Sequence, residues 1–154
     1  MYRAPCQERL YKISNLSGQK KKFMKHDSTF FAPQLFLKNV SAGMEFYKKA
    51  FNATELRRWS NDDGSVHVAE LSIDGAMFHL HEEVGRETEL SPESLNGTCV
   101  LLGLFVPDPR ATMAKAIEAG GTETNPVKDY EYGYTQGSVT DPFGHHWLIE
   151  KKIE

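Results

Sequence analysis

Leu35-Phe36-Leu37, followed by Ala42 and Met44, returns later in the chain as Leu104-Phe105-Val106, followed by Ala111 and Met113. The offset is 69 residues, and it also carries Gly75 onto Gly144, each at the head of a strand. The first of those strands contains His79 and the second Leu148. One shift therefore links a strand, a helix and a later strand, which reads as two copies of one supersecondary unit. A paired fold of this kind tends to place its pocket between the copies, so the repeat also indicates which positions face it.

Working outward, Phe30 to Asn39 reads as a strand, with Pro33 near its start or on an edge because proline has no donor for the ladder. Val40, Met44, Tyr47 and Phe51 then fall on one helical face, with Asn39 or Ser41 as the N-cap. Asn61-Asp62-Asp63-Gly64 is a turn between strands at about Glu55 to Ser60 and Ser65 to Ile73. Asp74-Gly75 is a second turn, and Met77 to Glu82 a further strand. Residues 83 to 97 are polar and punctuated by Gly85, Pro92 and Gly97, as a linker would be. The second half repeats the order. Thr98 to Val106 is a strand, Pro109 opens a helix, and Gly120-Gly121 ends it. Strands follow around Thr122 to Val127, Tyr134 to Thr140 and His146 to Lys151, the last two joined by Asp141-Pro142-Phe143-Gly144. The expected class is α+β, two tandem βαβββ modules at about 28–83 and 97–154, linked by 84–96, with mostly antiparallel sheets curved around a cleft.

Bulk properties narrow the function. The 154 residues suit one domain or two fused half-domains, and 40% hydrophobic with 25% charged residues is an ordinary globular mix. No apolar run approaches the roughly 20 residues of a membrane helix. Cys6 and Cys99 form no disulfide framework or metal-type spacing, which fits a reducing cytoplasm. Residues 1–25 carry seven basic groups against Glu8 alone, a balance of +6, whereas the other 129 residues hold eleven basic and twenty acidic groups, a balance of −9. An acidic body argues against nucleic-acid binding. The basic head, residues 1–27, has no periodic apolar face and reads as a flexible tail without a role in the fold.

Phe46-Tyr47 on the first helix and Asp141-Pro142-Phe143-Gly144-His145 before the last strand resemble the vicinal oxygen chelate superfamily. That group includes glyoxalase I, bleomycin-resistance proteins, fosfomycin-resistance enzymes and extradiol dioxygenases. The Gly-His-x-Trp ending, Gly144 to Trp147, is most similar to the PhnB-like, demethylubiquinone-methyltransferase-like branch. The resemblance implies a homodimer whose clefts are assembled across two chains. It also implies, for metal-using members, one ligand on the first and one on the last strand of each module. Those positions here are Ala32, His79, Leu101 and Leu148, and the 69-residue offset independently relates Ala32 to Leu101 and His79 to Leu148. Only His79 offers a lone pair, so the expectation is no usual metal site and no cofactor.

Side chains two apart on a strand share a face, so Gln34, His81 and Glu150 have the parity of the lost ligands. With His79 they form an alternative displaced set, of a type that suits zinc, nickel, iron or manganese. The competing reading makes Gln34 and His81 polar lining of a wet cleft and Glu150 a solvated strand end. His79 is a pocket hydrogen-bond donor or acid–base group, a metal ligand, or a satisfied core histidine. His67 joins it only if strand parity allows. His145 belongs to the turn, His146 has the parity of Leu148, and Trp147 packs under a helix. Trp59, Phe36 and Phe105 offer aromatic surface, the last two with cleft parity. Tyr130, Tyr132 and Tyr134 alternate either as one face of a strand or loop, or as a mobile loop over a ligand.

The expected function is therefore a cytoplasmic small-molecule-binding protein, holding an organic ligand with Gln34, Phe36, His79, His81, Leu101, Phe105, Leu148 and Glu150. His79 is its one candidate acid–base group. Metal-dependent lyase, isomerase or dioxygenase chemistry through the displaced set is the alternative.

Overall fold

The computed structural model describes residues 29–153, so the basic head and Cys6 lie outside the described residues. The first module runs β1 (Gln34–Leu37), α1 (Val40–Phe51), β2 (Thr54–Ser60), β3 (Val66–Ile73) and β4 (Ala76–Glu82). A one-turn helix, α2 (Pro92–Leu95), sits in the segment expected as a plain linker, capped by the Ser91 hydroxyl accepting from Ser94 N. The second module runs β5 (Leu101–Phe105), α3 (Pro109–Glu118), β6 (Thr122–Tyr130), β7 (Tyr134–Thr140) and β8 (His146–Lys152). Each module makes one four-stranded sheet, ordered β1-β4-β3-β2 and β5-β8-β7-β6. The outer pair in each, β1 with β4 and β5 with β8, is parallel and the other pairings are antiparallel.

The repeat read from the sequence is present in the backbone. Gln34 pairs with His79 as Gly103 pairs with Leu148, and Phe36 pairs with His81 as Phe105 pairs with Glu150. The helices start in equivalent places, capped by Asn39 accepting from Ala42 N and by Asp108 accepting from Ala111 N. Gly75 and Gly144 adopt φ of 92° and 88°, where a side chain would be strained. The offset slips by one residue in β7, since Ser72 pairs with Met77 but Thr140 with His146. The second turn is one residue longer.

In each sheet one face packs on helices. Leu35, Leu37, Phe78 and Leu80 are buried on that side of the first sheet, and a Cβ on Gly43 of α1 would lie 2.7 Å from Leu37 Cδ2. Glycine there lets the helix sit close to the strands. Trp147, Ile149 and Val139 do the same for the second sheet, with Met113 and Ala116 of α3 in the shared core.

The modules meet through α1 and α3, not through their open sheet faces. The joint centres on Asp141, 3% exposed. Its Oδ2 accepts from Tyr47 Oη at 2.6 Å and from Trp147 Nε1 at 3.0 Å. Its Oδ1 accepts from the backbone of Phe143 and His145 at 3.0 and 2.9 Å. Around it Tyr47 and Phe51 pack on Trp147, with ring centroids 5.6 and 4.9 Å apart. The Asp141 turn and Phe46-Tyr47, which carried the family resemblance, are thus the two halves of one structural joint.

Candidate functional site

A cavity of about 410 Å³ opens on the face of the first sheet turned away from α1. Trp59 of β2, His67 and Val68 of β3, His79 and His81 of β4, and Arg86 of the following loop line it. Strand register explains most of this set: Trp59 pairs with Val68, and Val68 with His81. His67 enters because β3 gains a residue against β2, with Val68 opposite Trp59 but Val66 opposite Ser60. This bulge turns two successive residues toward the open face, leaving Val66 and Ala69 buried on either side.

His79 and His81 lie with centroids 5.9 Å apart and rings 19° from parallel. The Nε2 of each is closed off from solvent and lacks a hydrogen-bond partner. Leaving such a group unsatisfied costs about 1–3 kcal/mol, so the pair is poised to gain a partner. Terminal imidazole torsions are broad, and a ring turn can present nitrogen to the cavity. Burial pushes the His81 pKa below its ordinary 6.5, and positive charge on His79 and His67 adds to the effect. His81 is accordingly a neutral imidazole at neutral pH. His67 Nδ1 lies 3.1 Å from Glu82, which also accepts from Asn61 Nδ2 at 3.0 Å. Arg57 stands over the Trp59 ring with Cζ 4.3 Å from its centroid.

Of the residues expected at the site, His79 and His81 line the cavity. Gln34 is beside His79 in register but exposed, and Phe36 packs on His81 at 5.5 Å. Leu101, Phe105, Leu148 and Glu150 occupy the open face of the second sheet instead, with Leu101 57% and Phe105 64% exposed. Within one chain the expected cleft residues therefore divide into two groups, because the modules join through helices. Glu150 is not a solvated strand end. It is 7% exposed, accepts from Gln136 Nε2 at 2.6 Å, and Gln136 in turn accepts from Tyr132 Oη at 2.7 Å. The alternating tyrosines gather their rings on one side of a β-turn. Tyr130 ends β6, Tyr134 begins β7, and Tyr132 stacks on Tyr130 at 5.0 Å in the turn between them.

His145 is buried in the turn, with Nδ1 3.4 Å from Asp141, in ion-pair range. His146 is exposed on β8 and Trp147 is buried under the helices. Trp59, His67, Val68 and Arg86 are cavity residues absent from the expected set. Trp59 and His67 carried a signal in their residue types, but the bulge that aligns His67 and the loop that brings Arg86 back are tertiary features.

The metal positions implied by the resemblance do not fit an ion. Ala32, Leu101 and Leu148 have no donor atoms, and Ala32 precedes β1. Among the described residues no three His, Cys, Asp or Glu side chains converge, so His79, His81 and Glu150 of one chain form no displaced set.

Residues 29–149 match the family model of the glyoxalase/bleomycin resistance protein/dioxygenase superfamily. The chain belongs to this superfamily. An uncharacterized protein of Mycobacterium tuberculosis is 35% identical over 125 residues, covering 79% of this chain and 74% of that one. The X-ray structure of an Arabidopsis thaliana gene product is 31% identical with a TM-score of 0.62, covering 79% of this chain and 98% of that one. The PhnB protein of Bacillus cereus shares the fold at 16% identity, with a TM-score of 0.61 over 80% of this chain and 99% of its own. Superfamily membership accounts for the paired modules. It does not choose a chemistry, because one fold hosts many.

Proposed function

We propose that this superfamily member, of the PhnB-like branch, is a cytoplasmic small-molecule-binding protein that works without the divalent ion of its metal-using relatives. The observation carrying this reading is the cavity itself, where an indole and three imidazoles surround enough volume for an organic ligand. Such sites combine apolar walls with a few placed polar groups, and two imidazole nitrogens here have no partner in the chain. The neutral His81 and its neighbour His79 can accept a proton from a bound compound, so acid–base chemistry is open to the same site.

The proposal includes a homodimer. The exposed Leu101, Phe105 and Tyr132 give the second sheet an uncovered apolar face, a feature that marks interaction surfaces. A second copy laid across it would bring that face against the histidine cavity. Light scattering on the tag-free protein should give twice the chain mass, falling to the chain mass in Phe105→Glu.

One observation favours the alternative of a metal-dependent lyase, isomerase or dioxygenase. Two same-face histidines with free Nε2 atoms could hold an ion if Glu150 of a second copy supplied a third ligand. The deciding experiment is elemental analysis, then ligand-panel thermal shifts with and without a chelator. Hits unaffected by chelation but lost in Trp59→Ala and His79→Ala support metal-free binding. Stoichiometric zinc, nickel, iron or manganese removed by His79→Ala overturns it.

A further inference from the structure

The cavity is uneven in charge. Four of its six lining side chains are basic in type, His67, His79, His81 and Arg86, and none is a carboxylate. The guanidinium of Arg57 adds a further cation above Trp59. Three acids border the lining without joining it. Glu82 accepts from Asn61 and pairs with His67, and Glu89 pairs with Arg86 at 2.7 Å. Glu70 stands opposite Arg57 and His79 in register, outside the lining. At His81 the charges of His79, His67 and Arg86 all act against protonation and only Glu89 opposes them. A negative group entering the cavity reverses that balance.

Arg86 is well placed to meet it. It follows Gly85, whose φ is 75°, and its pairing with Glu89 is a surface contact with side chains 64% and 35% exposed. Exposed pairs of this type hold their partners by less than about a fivefold factor. An incoming carboxylate exchanges for Glu89 at little loss and gains a fork-shaped donor.

We infer that the cavity takes a planar organic anion, its ring against Trp59 and its acidic group on Arg86 and the histidine pair, and that Arg86 selects it. This rests on the small-molecule-binding reading above. Binding then favours the protonated form of His81, whose pKa lies below the ordinary 6.5 without the anion. Affinity for the anion rises as pH falls toward that lowered value, with Glu70, Glu82, Glu89, Arg57, Arg86 and His67 setting the background charge.

Naphthoate, naphthalenemethanol and naphthylmethylammonium share a ring and differ in charge, so calorimetric titration of the full chain with all three isolates the selection. The expected result is naphthoate bound about tenfold or more tighter than the alcohol, with the ammonium weakest. Arg86→Gln should bring naphthoate to the level of the alcohol, and Arg86→Glu should favour the ammonium. Arg110→Gln, a cation on the second module, should leave the order intact. Equal affinity for the alcohol, or an unchanged preference in a folded Arg86→Gln protein, overturns the ligand class and spares the cavity. Absence of saturable binding by all three overturns the binding reading as well.

Discussion

The two modules share a backbone and differ in what they display on it. On the helix side, equivalent positions are apolar in both: Leu35 and Leu104, Leu37 and Val106, Phe78 and Trp147, Leu80 and Ile149. On the open side, His79 stands where the second module has Leu148, and His81 where it has Glu150. Trp59 and Val68, facing each other in the first sheet, correspond to Lys128 and Gln136, which also pair. The first open face carries a basic, imidazole-rich cavity open to solvent. The second holds a buried carboxylate locked by Gln136 beneath tyrosines. Packing against a helix permits only apolar side chains of suitable volume, whereas the outer face of a sheet carries no such demand. Divergence is therefore concentrated where ligands or partners can act.

The strongest way to break the comparison is to sever the one joint both modules use. Asp141→Ala strands the Tyr47 hydroxyl and the Trp147 N–H inside the core, and should lower stability by about 3–5 kcal/mol in denaturant unfolding. Tyr47→Phe, which leaves the carboxylate three other donors, should cost about 1–2 kcal/mol. The same joint predicts an acid limb. Burial alone would raise the Asp141 carboxyl, but His145, Tyr47 and Trp147 outweigh it and hold the pKa below the ordinary 3.8. The stability gained is present above that ordinary value and is lost as pH falls through the lower folded one. Asp141→Asn should flatten that part of the stability–pH curve, and an unchanged curve would reject Asp141 as its source.

A smaller effect separates the two sheets. In the second, Pro126 and Val127 bulge opposite Gly137, and a Cβ there would lie 2.6 Å from Val127 Cγ2 and 2.9 Å from its Cα. The equivalent Ala69, in a directly paired position, already carries a Cβ and is fully buried. Gly137→Ala should destabilise by about 1–3 kcal/mol, measurable as a lowered melting temperature. The smallest expected effect is at Gly103, whose added Cβ would sit 3.1 Å from Glu150 Oε1. Gly103→Ala should cost under about 1 kcal/mol, since the carboxylate can give way. A larger loss would mean that the Glu150–Gln136–Tyr132 chain is rigid.

Much of the fold was legible from residue pattern. The repeat, the Asn39 cap, the helical face of Val40, Met44 and Tyr47, and the turn at Asp74-Gly75 are local signals, each tied to backbone geometry over a few residues. Face assignment by alternation also held for Gln34, Phe36, His79 and His81, which share the open face of the first sheet. Alternation left His67 undecided, because a bulge adds one residue and changes the phase. At Tyr130 to Tyr134 it left strand and loop open, and the structure puts the three rings together across a turn. The short helix at Pro92 was hidden in a polar segment, where a single capped turn has too few residues for a periodic signal.

The sequence by itself determined the module, its duplication, and the absence of donor atoms at Ala32, Leu101 and Leu148, because these depend on side-chain type and local spacing. Only the tertiary structure decided which open face holds a cavity. The helix-to-helix joint at Asp141 parts Glu150 from the histidines, and the β3 bulge and the returning loop bring His67 and Arg86 to them. Those are contacts between residues distant in the chain, and no local periodicity encodes them.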